Sequence, residues 1–209
     1  MTICVVSTGL NAPTKRLCLA SVRAQTEPHE HVYVESDPGV TVAENLYMAI
    51  GRRASDDVIV WLDGDDWLAH PEVLTRVREM HEAGALLTYG QYMTIDGKPG
   101  HCAPYVHNSY RREPWLASHL KTFRAGLFHQ IHPEDLQLDG EWLSLAVDVG
   151  VTLPMLELAG PERVKFCEEV LCVYNSGSSF EASASLEMRA KEKETEMRIR
   201  AKERKYEHA

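Results

Sequence analysis

Apolar positions along the chain follow two alternating rhythms. TICVVST (2–8), HVYVES (31–36), DVIVWLD (57–63) and ALLTYGQYMT (85–94) are short runs rich in β-branched and aromatic residues, the mark of buried strands. Between them apolar residues recur three and four apart, the helical spacing. APTKRLCLASVRAQT (12–26) predicts a first helix, with Asn11 as candidate N-cap and Pro13 in its first turn. TVAENLYMAIGRRA (41–54) predicts a second, capped by Thr41, with Val42, Leu46, Ala49 and Ile50 on one face. HPEVLTRVREMHEAG (70–84) predicts a third, with Pro71 near its start and Gly84 as its stop. This alternation describes an α/β fold, a doubly wound and mostly parallel central sheet with flanking helices. In such sheets ligands bind beyond the carboxyl ends of the strands.

The rhythm weakens after the turn signal DGKPG (96–100). Residues 101–115 predict a loop, and SHLKTFRAGLFHQI (118–131) a short extended piece followed by a helix. WLSLAVDVGVTLPMLELAG (142–160) predicts one long helix, interrupted or kinked near Pro154 and stopped by Gly160. RVKFCEEVLCVYNSG (163–177) predicts two short strands. The organisation is thus a first half (1–100), a second half of the same domain (101–181) and a charged C-terminal helix (182–209).

That last segment changes the charge picture. The chain carries a net charge of −9, yet eight Lys/Arg against six Glu make residues 186–209 +2 and leave −11 for the rest. Such a balance disfavours non-specific nucleic-acid binding over most of the surface. The tail has the composition of a solvated helix laced with i,i+4 ion pairs, or of one that mediates self-association into a homo-oligomer. Five cysteines without close CxxC spacing fit a reducing, cytoplasmic setting better than a disulfide framework. Residues 1–8 lack the features of a signal peptide, and no run of about 18 apolar residues is present, so no membrane span is expected.

Candidate chemistry concentrates at one place. The third strand ends in Asp63-Gly64-Asp65-Asp66, three carboxylates within four residues. Like charges crowded at the end of a buried strand are costly unless a cation lies among them. Oxygen ligands suit a hard divalent ion, and open coordination positions would take the oxygens of a diphosphate. Capping of the next helix needs only one of the three.

With these residues in view, the chain resembles a family 2 glycosyltransferase of the GT-A fold. The likeness covers roughly residues 2–180 and is carried by VVSTGLNAPTKRLCLASVRAQT, AENLYMAI and WLDGDDWLAHPEVL, the last as the DxD region. HLKTFRAGLF, VDVGVTLPMLELAG and EVLCVYNSG extend it. The resemblance implies transfer of a sugar from a nucleotide-sugar donor, most often a UDP-sugar, usually with inversion and with Mn²⁺ or Mg²⁺. Residues 1–100 would then hold the donor and 101–181 the acceptor. Asp65 would be the main metal ligand, Asp63 would act through the metal or the ribose, and Asp66 would support the site. Ser7 and Thr8 would line the nucleotide, Glu35 or Asp37 would face base or ribose, and Asn45 belongs to the matching second-helix motif. Lys121 and Arg124 would meet diphosphate or acceptor, and Asp148 is the candidate general base. Trp115 and Trp142 are candidates for stacking on a sugar, His70 and His107 for an added metal ligand, and Asn175 and Ser176 for approaching the diphosphate.

Two departures from the family pattern keep other readings open: Val147 precedes Asp148 where an acidic pair is usual, and Glu44 precedes Asn45 where Arg is frequent. The alternatives are a nucleotidyltransferase and a degenerate sugar- or nucleotide-binding module without turnover. For the acceptor, a glycan or protein is favoured, with a hydroxylated base in phage DNA as the other candidate.

Overall fold

A strand sequence alternating with helices must bring its strands together, and here seven of them form one sheet in the order β2-β1-β3-β6-β5-β9-β4. The computed structural model describes residues 1–9, 15–35, 39–107, 109–177, 184–203 and 206. The strands are β1 (Ile3–Gly9), β2 (Glu30–Glu35), β3 (Val58–Asp63), β4 (Trp67–Leu68), β5 (Leu87–Thr94), β6 (Lys121–Arg124) and β9 (Val164–Tyr174). A separate two-stranded ribbon joins β7 (Gln137–Leu138) to β8 (Glu141–Trp142). The helices are α1 (Lys15–Arg23), α2 (Val42–Ile50), α3 (Val73–Glu82), α4 (Ala125–Phe128), α5 (Val147–Ala159) and α6 (Leu186–Ala201).

β1 pairs in parallel with both β2 and β3, and β5 pairs in parallel with β9. Residues 3–6 of β1 and 58–60 of β3 are fully buried, as expected of parallel strands covered on both faces. The sheet is nevertheless mixed. β6 comes from the second half of the chain and inserts between β3 and β5, antiparallel to both. The two halves therefore share one sheet.

The link from β3 to β4 matters most for function. These strands are consecutive in sequence, yet β3 lies inside the sheet and β4 at its edge, paired antiparallel with β9. Only residues 64–66 connect them, so the sheet must curl to bring its edge back to β3. The three carboxylates occupy that crossing.

Several local expectations hold. Thr41 caps α2 by accepting the Glu44 N–H on its hydroxyl at 3.2 Å. Thr41→Ala should lower stability by about 1 kcal/mol, read as a shift in the urea midpoint at unchanged slope. Gly84 follows α3 with φ +99° and Gly160 follows α5 with φ 68°, the left-handed backbone that glycine tolerates. Asn11 and Pro13 lie outside the described residues.

Three expectations need correction. The long helix starts at Val147, not near Trp142, which belongs to β8. The two strands expected within 163–177 are one strand, because irregular pairing beside Gly90 and Gln91 leaves the polar Glu168 and Glu169 unpaired without ending the ladder. The tail is not simply a solvated rod. Ile199 is 2% exposed within the core, and Lys202 donates to the carbonyls of Asp135 (3.0 Å) and Gln137 (2.8 Å). Its apolar anchor is used inside the chain, while Leu186, Met188 and Met197 remain on the surface. All five cysteines are buried and unpaired, and among the described residues no helix is long and apolar enough to cross a membrane.

Candidate functional site

The end of β3 packs beside the end of β1. Thr8 is in register with Asp63, and its carbonyl accepts the Gly64 N–H at 2.7 Å. The chain then turns, the Asp66 N–H donating to the Asp63 carbonyl at 3.0 Å. This turn brings the first and last carboxylates together. On the other side of β3, β6 runs antiparallel with Trp61 opposite Lys121. Continuing that register by two residues puts position 119 level with position 63. There the imidazole Nε2 of His119 lies 3.3 Å from Asp66 Oδ2 and 3.8 Å from Asp63 Oδ2.

Asp63, Asp66 and His119 each offer one ligand atom, and these atoms lie within 4.8 Å of one another. The orientation of two of them is imposed from behind. The Asn175 N–H donates to Asp66 Oδ1 at 2.8 Å, leaving Oδ2 buried without a hydrogen bond. His119 Nδ1 lies 2.8 Å from the Ser118 hydroxyl, which frees Nε2 to face the carboxylates. The ring is wedged between Tyr92 and Tyr174, with centroids 5.1 and 4.9 Å away.

The electrostatics of the three groups follow from their burial and from one another. Burial pushes the Asp66 carboxyl up to about 7, with Asp65 adding to it, against the Asn175 N–H and Lys121. Asp63 is pushed up to about 6, first by burial and then by Asp66 and Asp65, against Lys121 and His119. Asp63 keeps 39% of its side chain exposed, whereas Asp66 keeps 1%. Burial and Lys121 lower His119 to about 4, so it is neutral at physiological pH and available as a ligand. Two oxygens and one imidazole nitrogen around an orphaned buried carboxylate oxygen fit a divalent cation.

The expected residues divide sharply by place. Asp65, expected as the main ligand, is not one of the three cluster residues. The hydrogen-bonded turn joins 63 to 66 and leaves 65 between them, close enough to raise both pKa values. Lys121 is 3% exposed, donates to the Ser118 carbonyl at 2.5 Å and lies over the Trp61 ring at 4.6 Å, its charge reaching both carboxylates. Arg124 is at the other end of β6, opposite Val58, roughly 16 Å along the strand from the cluster. It donates to the Asp56 and His81 carbonyls, so it does not join the site.

Ser7 is fully buried, with its hydroxyl 3.0 Å from His31 Nε2 and accepting from the Cys18 thiol at 3.6 Å, and Thr8 is 4% exposed. Asn45 sits in the first turn of α2 with its amide nitrogen buried and lacking a hydrogen-bond partner among the described residues. Glu35 closes β2 in register with Gly9, while its side chain and all of Asp37 lie outside the described residues. Asp148 is in the first turn of α5, accepts the Trp115 indole N–H at 3.1 Å and raises the His119 pKa through its charge. Trp142 packs against Tyr47 at 5.3 Å. His70 is 3.1 Å from Glu169, and His107 is exposed, so neither belongs to the cluster.

His119 was missed in the sequence because nothing local marks it. Its one signal is its place two residues before Lys121, and that signal has meaning only once β6 is known to run antiparallel beside β3.

No family model and no curated protein matches this sequence. Solved structures do match. S. aureus TarS 1–349 aligns at 15% identity over 85% of this chain with a TM-score of 0.61. The chain spans 61% of the length of that TarS fragment, and TarS 1–349 is also known in complex with UDP-GlcNAc. Glucosyl-3-phosphoglycerate synthase from Mycobacterium tuberculosis, in complex with Mn²⁺, UDP-glucose and phosphoglyceric acid, aligns at 14% identity over 95% of this chain and 78% of its own, with a TM-score of 0.61. Mannosyl-3-phosphoglycerate synthase from Rubrobacter xylanophilus aligns at 12% identity over 96% of this chain and 73% of its own, with a TM-score of 0.62. Identities this low speak for architecture alone, and the architecture is the one that the curled sheet and its crossing already described: this chain has the GT-A fold of these glycosyltransferases.

Proposed function

We propose that the protein is a divalent-metal-dependent glycosyltransferase of family 2 type, moving a sugar from a nucleoside-diphosphate sugar to an acceptor hydroxyl with inversion. The observation that carries this reading is the Asp63–Asp66–His119 cluster, with its orphaned Asp66 Oδ2, at the carboxyl end of β3. These three side chains would hold Mn²⁺ or Mg²⁺, the imidazole favouring Mn²⁺. When bound, the ion neutralises charge on the departing diphosphate.

The chain's own groups supply the rest. Residues 1–100 hold the donor, with the buried Asn45 amide as a polar contact, and 101–181 hold the acceptor. Lys121 adds positive charge behind the carboxylates. Asp148, steadied by Trp115, takes the proton of the acceptor hydroxyl, as an inverting transfer requires of a carboxylate near the acceptor. UDP-sugars are the favoured donors, and the acceptor is a glycan or protein hydroxyl. Five buried, unpaired cysteines support a cytoplasmic setting.

The test is calorimetric titration of UDP and of GDP with and without Mn²⁺. Binding of UDP that needs Mn²⁺ is expected, with GDP weaker by about tenfold or more. If neither nucleotide binds in the presence of Mn²⁺, the glycosyltransferase reading fails for these donors. Release of pyrophosphate from a nucleoside triphosphate would replace it with nucleotidyl transfer.

A further inference from the structure

The charged C-terminal helix is joined to the candidate base by an unbroken chain of contacts. Arg200, in the last turn of α6, donates through Nη1 to the carbonyls of Tyr110 (3.1 Å), Arg111 (3.3 Å) and Glu113 (3.1 Å). Glu196, one turn back, accepts its Nε–H at 2.7 Å. Arg111 reciprocates: its Nη1 donates to the Ile199 carbonyl at 2.8 Å, and its Nε and Nη2 grip Glu157 of α5 at 2.6 and 2.9 Å. That ion pair is buried, Glu157 keeping 4% of its side-chain surface. The segment so clasped leads directly to Trp115. Its ring centroid is 5.9 Å from the Arg200 guanidinium carbon, and its indole N–H donates to Asp148.

A second contact reaches the same turn of α5. A Cβ placed on Gly150 would lie 3.5 Å from Ile199 Cδ1 and 2.3 Å from Leu143 Cδ1, so α6 approaches α5 closely only two residues from Asp148. The guanidinium holds three carbonyls through Nη1 while its Nε–H is fixed by Glu196, so one planar side chain ties the loop to the last turn of α6.

We propose that α6 is a strut for the acceptor side of the site and that Arg200 is a positioning residue for Asp148, acting through the 110–113 carbonyls and Trp115. This rests on the assignment of Asp148 as the base.

The test follows the Trp115 indole N–H by ¹⁵N NMR, its signal identified by its loss in Trp115→Phe. Arg200→Ala is expected to shift that signal and speed its exchange with solvent, as Asp148→Ala does by removing the acceptor. Arg200→Lys should fall between. Arg198→Ala, which breaks only the exposed pair with Asp139, should leave it in place. Should Arg200→Ala fail to fold, Arg200→Lys carries the same comparison. In parallel, Arg200→Ala should lower kcat for Mn²⁺-dependent hydrolysis of UDP-glucose or UDP-GlcNAc by about tenfold, leaving UDP affinity unchanged.

An unmoved Trp115 signal in a folded Arg200 variant overturns the strut. So does an equal shift in Arg198→Ala, which would mean general loosening of the helix. A wild type that turns over neither donor overturns the glycosyltransferase reading and the base role with it, while the NMR comparison separately decides whether Arg200 positions Trp115 and Asp148.

Discussion

Asp66→Asn should abolish the Mn²⁺ dependence of UDP binding and at the same time raise the melting temperature of the metal-free protein. The first effect follows from removing one of the three side chains proposed to hold the ion, which should weaken Mn²⁺ binding by on the order of 100-fold or more. The second follows from the cost of the charge. Asp66 keeps 1% of its side-chain surface, and its free Oδ2 has no hydrogen bond. Its pKa is raised from 3.8 to about 7. The folded protein therefore binds more protons at this site than the unfolded chain, and stability contributed here falls as pH rises from about 4 to 7.

Above pH 7 the ionised carboxylate costs up to about 4 kcal/mol, most of which asparagine would relieve while its carbonyl oxygen still accepts the Asn175 N–H. Melting of wild type and variant at pH 8, then at pH 5, checks this. The variant should gain at least about 3 °C at pH 8 and less than half as much at pH 5, where the folded Asp66 is protonated and only the cost of taking up that proton remains. His119 works in the opposite sense, since its lowered pKa makes stability rise with pH between about 4 and 6.5, but it is common to both proteins and cancels in the comparison. Equal melting at pH 8 together with undiminished Mn²⁺-dependent UDP binding would remove Asp66 from the site. Asp65→Asn is the natural companion, and a much smaller loss of Mn²⁺ affinity is expected there because Asp65 is outside the three-residue cluster.

Mn²⁺ affinity should fall on the order of 100-fold between pH 7.5 and 5.5, with the ion displacing protons as it binds. A ligand must be deprotonated to bind. The carboxylate pair has folded pKa values raised to about 7 and about 6, so it holds close to two protons at pH 5.5 and almost none at pH 7.5. His119, lowered to about 4, is already neutral across this range and releases nothing. A site of ordinary carboxylates would show almost no dependence in the same window, because their pKa values near 4 lie below it. Calorimetry of Mn²⁺ binding in buffers of different ionisation enthalpy measures the protons released at each pH. Zero release at pH 6 would mean that Asp63 and Asp66 are not the ligands.

Much of this protein is legible in the order of its residues. The β-branched runs at 2–8 and 57–63, the helical spacing between them and the Thr41 cap are local properties, set by side-chain shape and by bonds between near neighbours. They were sufficient for the α/β class and for placing chemistry at the end of β3, since burying three carboxylates there has a cost that sequence alone makes visible.

What the sequence could not decide depends on strands meeting across long separations. Nothing near residue 121 says that β6 lies between β3 and β5 or that it runs antiparallel. That single pairing sends Arg124 to the far end of the sheet, keeps Lys121 close to the carboxylates and delivers His119 to Asp63 and Asp66. The choice of Asp66 over Asp65 likewise depends on the turn after β3 and on Asn175, more than a hundred residues away, which holds one carboxylate oxygen and leaves the other bare. The tail reads as a helix from its composition, but its docking depends on where Tyr110, Glu157 and Gly150 come to lie. Periodicity and capping act over a few residues and are written in the sequence. The Asp63–Asp66–His119 cluster and the tail helix's place against α5 are joint properties of distant segments, and only the packed chain brings them together.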